Sequence, residues 1–211
     1  MLSEIVNLLE RFVFRYITIV GGHANSLSEI YYRHALKIRR KTGNYTITQL
    51  EKDLSELATK KAPDSVFEVN LLQKLKYTDD STRKRLVKHF LTTLEDHYGW
   101  LKNGASGKPK PSKESLFDIN QLTIEHIYPQ KAKGKIQLLE THKNSLGNLT
   151  FWAPNDNRAA GNEVFDKKKE LYKKSSIYMN RELTHIQEWN EQELKNREKK
   201  LVNMAIKLFK F

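Results

Sequence analysis

No cysteine occurs among the 211 residues. Disulfides and four-cysteine zinc sites are thereby excluded, so any metal must sit on oxygen and nitrogen ligands. No apolar run approaches the roughly 20 residues needed to span a bilayer. The first helix lacks a signal peptide's uninterrupted apolar centre, and the chain reads as soluble and cytoplasmic, with no membrane partner. A Gly-rich phosphate loop is missing too, which excludes a nucleotide-binding domain of that kind within these residues. Internal repeats are absent. Acidic residues are the minority charge, 25 against 37 Lys and Arg, giving a formal net charge of +12. That excess favours a polyanion as partner, because lysines that neutralise phosphates release condensed counterions. A lysine- and asparagine-rich composition would produce the same charge, so the motifs must carry the functional argument.

What is present first is helical. Leu2, Ile5, Val6, Leu9, Phe12, Val13 and Tyr16 repeat at i, i+3, i+4, i+7, which predicts an amphipathic helix over 3–17, broken at Gly21-Gly22. Asn25-Ser26 offers caps for a second helix, on which His34 is read as a core-edge histidine. Thr46 with Gln49 predicts a capping box for a third helix. Pro63-Asp64 opens a fourth and Asp80-Ser81 caps a fifth, whose first turns carry Arg83-Lys84-Arg85 against the helix dipole. Residues 103–115, rich in Gly, Pro, Ser and Lys, read as a linker between a helical domain (1–102) and a second domain (116–211). In that second part Asn162 is expected to cap a helix bearing Phe165, Lys168, Leu171 and Tyr172. Thr184 with Gln187 is expected to open the last helix, on which Leu194, Leu201, Ala205 and Leu208 share a stripe.

The chemistry concentrates between Leu122 and Asn157. Ile124-Glu125-His126-Ile127-Tyr128-Pro129-Gln130 has the apolar flanks of a short buried strand, yet carries two titratable residues at its centre before a proline forces an exit. Gly147-Asn148-Leu149-Thr150-Phe151-Trp152 predicts a second strand, and Pro154 then opens a helix presenting Asn157 in its first turn.

This ordered set resembles the ββα-metal (HNH) nucleases, and more closely the C-terminal nuclease domain of GmrSD-type modification-dependent (type IV) restriction enzymes. Those have an Ile-Glu-His-Ile-x-Pro-Gln element, a Gly-Asn-Leu-Thr element and a following Asn. The fold implied is mainly α: an N-terminal helical domain plus a C-terminal ββα-metal core with supporting helices. The activity implied is metal-dependent hydrolysis of DNA, as an endonuclease or nickase in defence against foreign or modified DNA. The first half is similar to the region that follows the NTPase domain in such proteins, which makes an N-terminal or separate NTPase or sensor domain a further expected partner and these residues a fragment or a shortened relative.

The resemblance assigns roles by residue. His126 is the general base, since imidazole alone has an unperturbed pKa near neutrality. Glu125 and Asn157 are the metal ligands, and oxygen ligands with open positions suit Mg²⁺, with Mn²⁺ as the alternative. Asn148 takes the middle catalytic role by holding the loop and the His126 backbone. His142 is a rival ligand. Arg158, Asn162 and Lys168 are the candidates for holding phosphates. Adjacent strand residues point to opposite sides, so Glu125 and His126 can share a site only if the strand twists or ends at this dipeptide. The sequence leaves two other readings open: a nucleic-acid-binding module that has lost hydrolysis, and a helical interaction protein with no nucleic acid.

Overall fold

A computed structural model describes residues 2–40, 45–111, 118–152 and 162–211. The architecture is mainly α, with one two-stranded antiparallel sheet among the described residues. The chain divides into two compact units, Met1–Leu71 with Phe209–Phe211, and Leu72–Leu208.

In the first unit α1 (Leu2–Val13), α2 (Ala24–Arg39) and α3 (Ile47–Lys61) surround Leu8, Phe12, Tyr16, Leu27, Ile30, Leu50 and Leu54. The first helix does not stay α to residue 17 as its periodicity predicts. Phe14–Ile19 winds as a π-helix, with the Val20 N–H reaching Arg15 O at 3.0 Å. Tyr16, within this wider turn, still packs with Leu8 and Phe12 in the core. In the same turn Arg15 is buried and donates to Ala62 O at 2.9 and 2.7 Å and to Asp64 Oδ1 at 2.6 Å. The chain then turns at Gly21, whose φ of 77° favours glycine. His34 is a core-edge histidine, bonded to Asp53 at 2.8 Å and Tyr45 at 3.1 Å. The Thr46 capping box does not form: no side-chain cap bond is made there. A fourth helix, α4 (Asp64–Lys74), follows.

The second unit contains α5 (Ser81–Asp96), α6 (Tyr98–Lys102), β1 (Thr123–His126), α7 (Gln137–His142), β2 (Leu149–Trp152), α8 (Phe165–Lys174), α9 (Tyr178–Glu182) and α10 (Glu191–Leu208). Asp80 caps α5 as expected, accepting from Arg83 N at 2.7 Å. The two units divide at Leu71, and of the linker expected at 103–115 residues 112–115 lie outside the described residues. Residues 103–111 are irregular, and α5 lies in the same unit as the strands, where its Glu95 accepts the N–H groups of Tyr178 at 2.5 Å and Met179 at 3.0 Å at the start of α9. Two helix starts also differ from expectation. Val164, not Asn162, is the residue before α8, and α10 begins after Asn190, whose Oδ1 accepts Glu193 N at 3.0 Å, rather than at Thr184. Thr184 falls in a short 3-10 turn, where its hydroxyl bonds back to Arg181 O.

Candidate functional site

The strands pair Thr123 with Trp152, Glu125 with Thr150 and His126 with Leu149. Two strands alone are marginal in water, so this ribbon needs support from neighbouring helices. Arg197 on α10 supplies part of it, donating through Nη1 to Gly147 O at 2.8 Å and Leu149 O at 2.7 Å. Gly147 lies so close to α10 that an added Cβ would collide with Leu194 O and stand 2.9 Å from Glu198 Cβ. From α9, Asn180 bonds Thr150 Oγ1 and donates to Phe151 O at 3.0 Å.

Asn148 is fully buried and uses its whole side chain. Its Oδ1 accepts Tyr128 N at 2.8 Å and Trp189 Nε1 at 3.1 Å, while Nδ2 donates to Tyr128 O at 3.0 Å and Lys143 O at 2.8 Å. It therefore fastens the segment leaving β1 rather than the His126 backbone. Its bonds tie Tyr128 to Lys143 across the loop between the strands, which is the loop-holding part of the role expected for it.

Beyond β1 opens a cleft of about 350 Å³ lined by Tyr77, Glu125, His126, Pro129, Gln130, Asn162 and Lys168. The strand ends at His126, and both members of the Glu125-His126 dipeptide line this one cleft. His126 Nε2 lies 3.3 Å from Asn144 Oδ1 and 3.4 Å from Gln130 Nε2. The first contact asks the nitrogen to donate and the second to accept, so one tautomer satisfies only one of them. The Tyr77 ring meets the imidazole edge-on at 4.6 Å. Burial is the main cause that pushes His126 down to about 4, opposed by the Asn144 contact, so the ring is neutral at physiological pH.

Beneath it the Lys168 ammonium is wholly buried, 2.5 Å from Glu125 Oε1, 2.6 Å from His126 O and 3.5 Å from Ile127 O. These three acceptors occupy its three donors. Lys168 is thus not placed to grip phosphate as expected; its sequence position beside the apolar seam of α8 turns it inward onto Glu125. Burial pushes the Glu125 carboxyl up and Lys168 draws it back down. The bond to Lys168 is made through Oε1, and the Glu125 carboxyl and the His126 ring both line the cleft. No group of three or more His, Asp or Glu side chains able to hold a metal occurs among the described residues.

Of the residues the sequence singled out, Glu125, His126, Asn162 and Lys168 come together at this cleft, with Asn162 exposed at its mouth. Asn157 and Arg158 lie outside the described residues. His142 does not line the cleft and stands 3.9 Å from Glu191. Sequence reasoning missed Tyr77, Asn144 and Arg197. Tyr77 carried no signal, because it lies far from the motif in sequence, whereas Arg197, one turn from Leu194 and Leu201, interrupts an apolar stripe and was legible there.

The profile of the GmrSD restriction endonuclease C-terminal domain matches residues 61–204. Comparison with curated proteins gives no match. No helix among the described residues is long and apolar enough to cross a membrane.

Proposed function

The chain belongs to the family of GmrSD restriction endonuclease C-terminal domains, and on that premise we propose that it is an HNH-type, metal-dependent DNA endonuclease or nickase acting on foreign or modified DNA. The observation that carries this reading is the meeting, in one cleft, of a neutral histidine with a carboxyl group held through its Oε1 by a buried lysine.

Hydrolysis of a phosphodiester requires an activated water, neutralisation of charge at phosphorus and stabilisation of the departing 3′ oxygen. His126, uncharged, takes the proton from the attacking water. Its neighbours Asn144 and Gln130 hold the ring at long distances of 3.3 and 3.4 Å, loose enough to be exchanged for that water. Lys168 offsets the upward push of burial on the Glu125 carboxyl and holds it by Oε1. Asn162, at the mouth, offers its amide to a non-bridging phosphate oxygen, and Arg158 is proposed for a flanking phosphate.

The donor set suits a hard divalent ion. Glu125 Oε2 and the Asn157 side chain would hold Mg²⁺, or Mn²⁺ in its place, and the ion supplies charge neutralisation at the phosphate and the leaving oxygen. An NTPase or sensor domain, N-terminal or separate, is the proposed partner for target selection.

One observation favours a second reading, a DNA-binding module without hydrolysis: Lys168 already compensates Glu125 without any metal. Supercoiled plasmid decides between them. The nuclease reading expects nicked or linear product with Mg²⁺ and none with EDTA; retarded but intact plasmid under Mg²⁺ and Mn²⁺ alike supports the second.

A further inference from the structure

A second cavity, about 220 Å³, lies on the other side of Pro129, which lines both it and the cleft. Its volume is below the roughly 300 Å³ at which pockets for drug-sized ligands begin, a size suited to one heterocycle. Tyr128, Phe165 and Trp189 form its apolar wall, and the carboxylates of Asp166 and Glu188 stand at its edge. Lys131, Lys133 and Lys135 are all exposed on the loop that borders it.

That loop is held in place. The Tyr128 hydroxyl accepts Ile136 N at 3.2 Å at the loop's far end and donates to Glu140 Oε1 at 2.8 Å, while Asn148 grips the Tyr128 backbone from below. The pocket is therefore a preformed concavity, with cations placed to follow a phosphate backbone and acceptors placed to meet an exocyclic amine.

We propose that this pocket receives a single base lifted out of the DNA stack beside the phosphate bound in the cleft. The inference rests on the nuclease reading for the position of that phosphate. Apolar and aromatic walls replace the stacking the base gives up, and Asp166 or Glu188 accepts from the amino group of cytosine or adenine. Lys131, Lys133 and Lys135 neutralise the phosphates on either side of the displaced nucleotide.

The test is a scan of end-labelled duplexes, each with one mismatch at a successive position, measured by fluorescence anisotropy with EDTA present. A base that is already unpaired costs less to extrude, so a mismatch at one or two adjacent positions should tighten binding by about tenfold. Filling the pocket should erase that gain. Gly134→Phe is the first variant, since a Cβ there meets nothing within 4 Å, and Ala132→Phe is the second, from the pocket wall. Both should still hydrolyse bis(4-nitrophenyl) phosphate at the wild-type rate with Mg²⁺. No tightening at any position, or tightening that survives in both variants, overturns the proposal. Wild-type protein that shows the tightening but hydrolyses neither the small diester nor DNA overturns the nuclease reading and leaves the pocket standing.

Discussion

Lys168 Nζ and Glu125 Oε1 stand 2.5 Å apart with side chains 0% and 6% exposed, so the carboxylate of the motif is held by an ammonium from α8. A buried pair of this kind is costly to break from one side, because the survivor is left charged and unsolvated. Lys168→Met should lower unfolding free energy by about 3–5 kcal/mol in urea denaturation. Adding Glu125→Gln to it should restore much of the loss. A single variant as stable as the parent would mean that the pair does not hold the site.

Asn148→Ala leaves Tyr128 N, Tyr128 O, Lys143 O and Trp189 Nε1 without their partner. Each unsatisfied buried group costs about 1–3 kcal/mol, so the urea midpoint should fall sharply. Lost cleavage at an unchanged midpoint would return Asn148 to a direct role in the chemistry.

Gly147→Ala places a methyl against Leu194 O, a backbone atom that cannot swing aside. Overpacking of this kind costs about 1–3 kcal/mol. Thermal unfolding checks it, and no loss would show that α10 can retreat from the strand.

How much of this was legible in the sequence depends on range. The two strands, the α5 cap at Asp80 and the final apolar stripe each rest on neighbours within a few residues, and periodicity and cap chemistry expose those. The π-turn at Phe14–Ile19 and the buried Arg15 depend on acceptors at Ala62 and Asp64, which no local pattern reveals. Lys168 failed for a related reason: in Lys167-Lys168-Lys169 the three side chains are chemically alike, and only the fold shows that the middle one meets a carboxylate 43 residues away. The Gly- and Pro-rich composition of 103–111 correctly indicated irregular chain, yet irregular chain inside a unit and chain between units have the same composition.

A role in guiding DNA is the reading to test for the basic triplet. Lys84 sits 5.2 Å over the Tyr77 ring, which itself meets His126, while Arg83 and Arg85 are exposed on α5. Changing Arg83, Lys84 and Arg85 together to Ala should flatten the dependence of log affinity on log salt by roughly 0.9 for each phosphate that is no longer neutralised. A variant with the parent slope would make the triplet a solvated face.

His126 is proposed as the base of the chemical step. Single-turnover cleavage of plasmid by His126→Ala with Mg²⁺, compared with the parent at equal DNA occupancy, measures that step alone. The expected rate is lower by on the order of 10² to 10⁴, with DNA affinity nearly unchanged. Cleavage at the parent rate would contradict it.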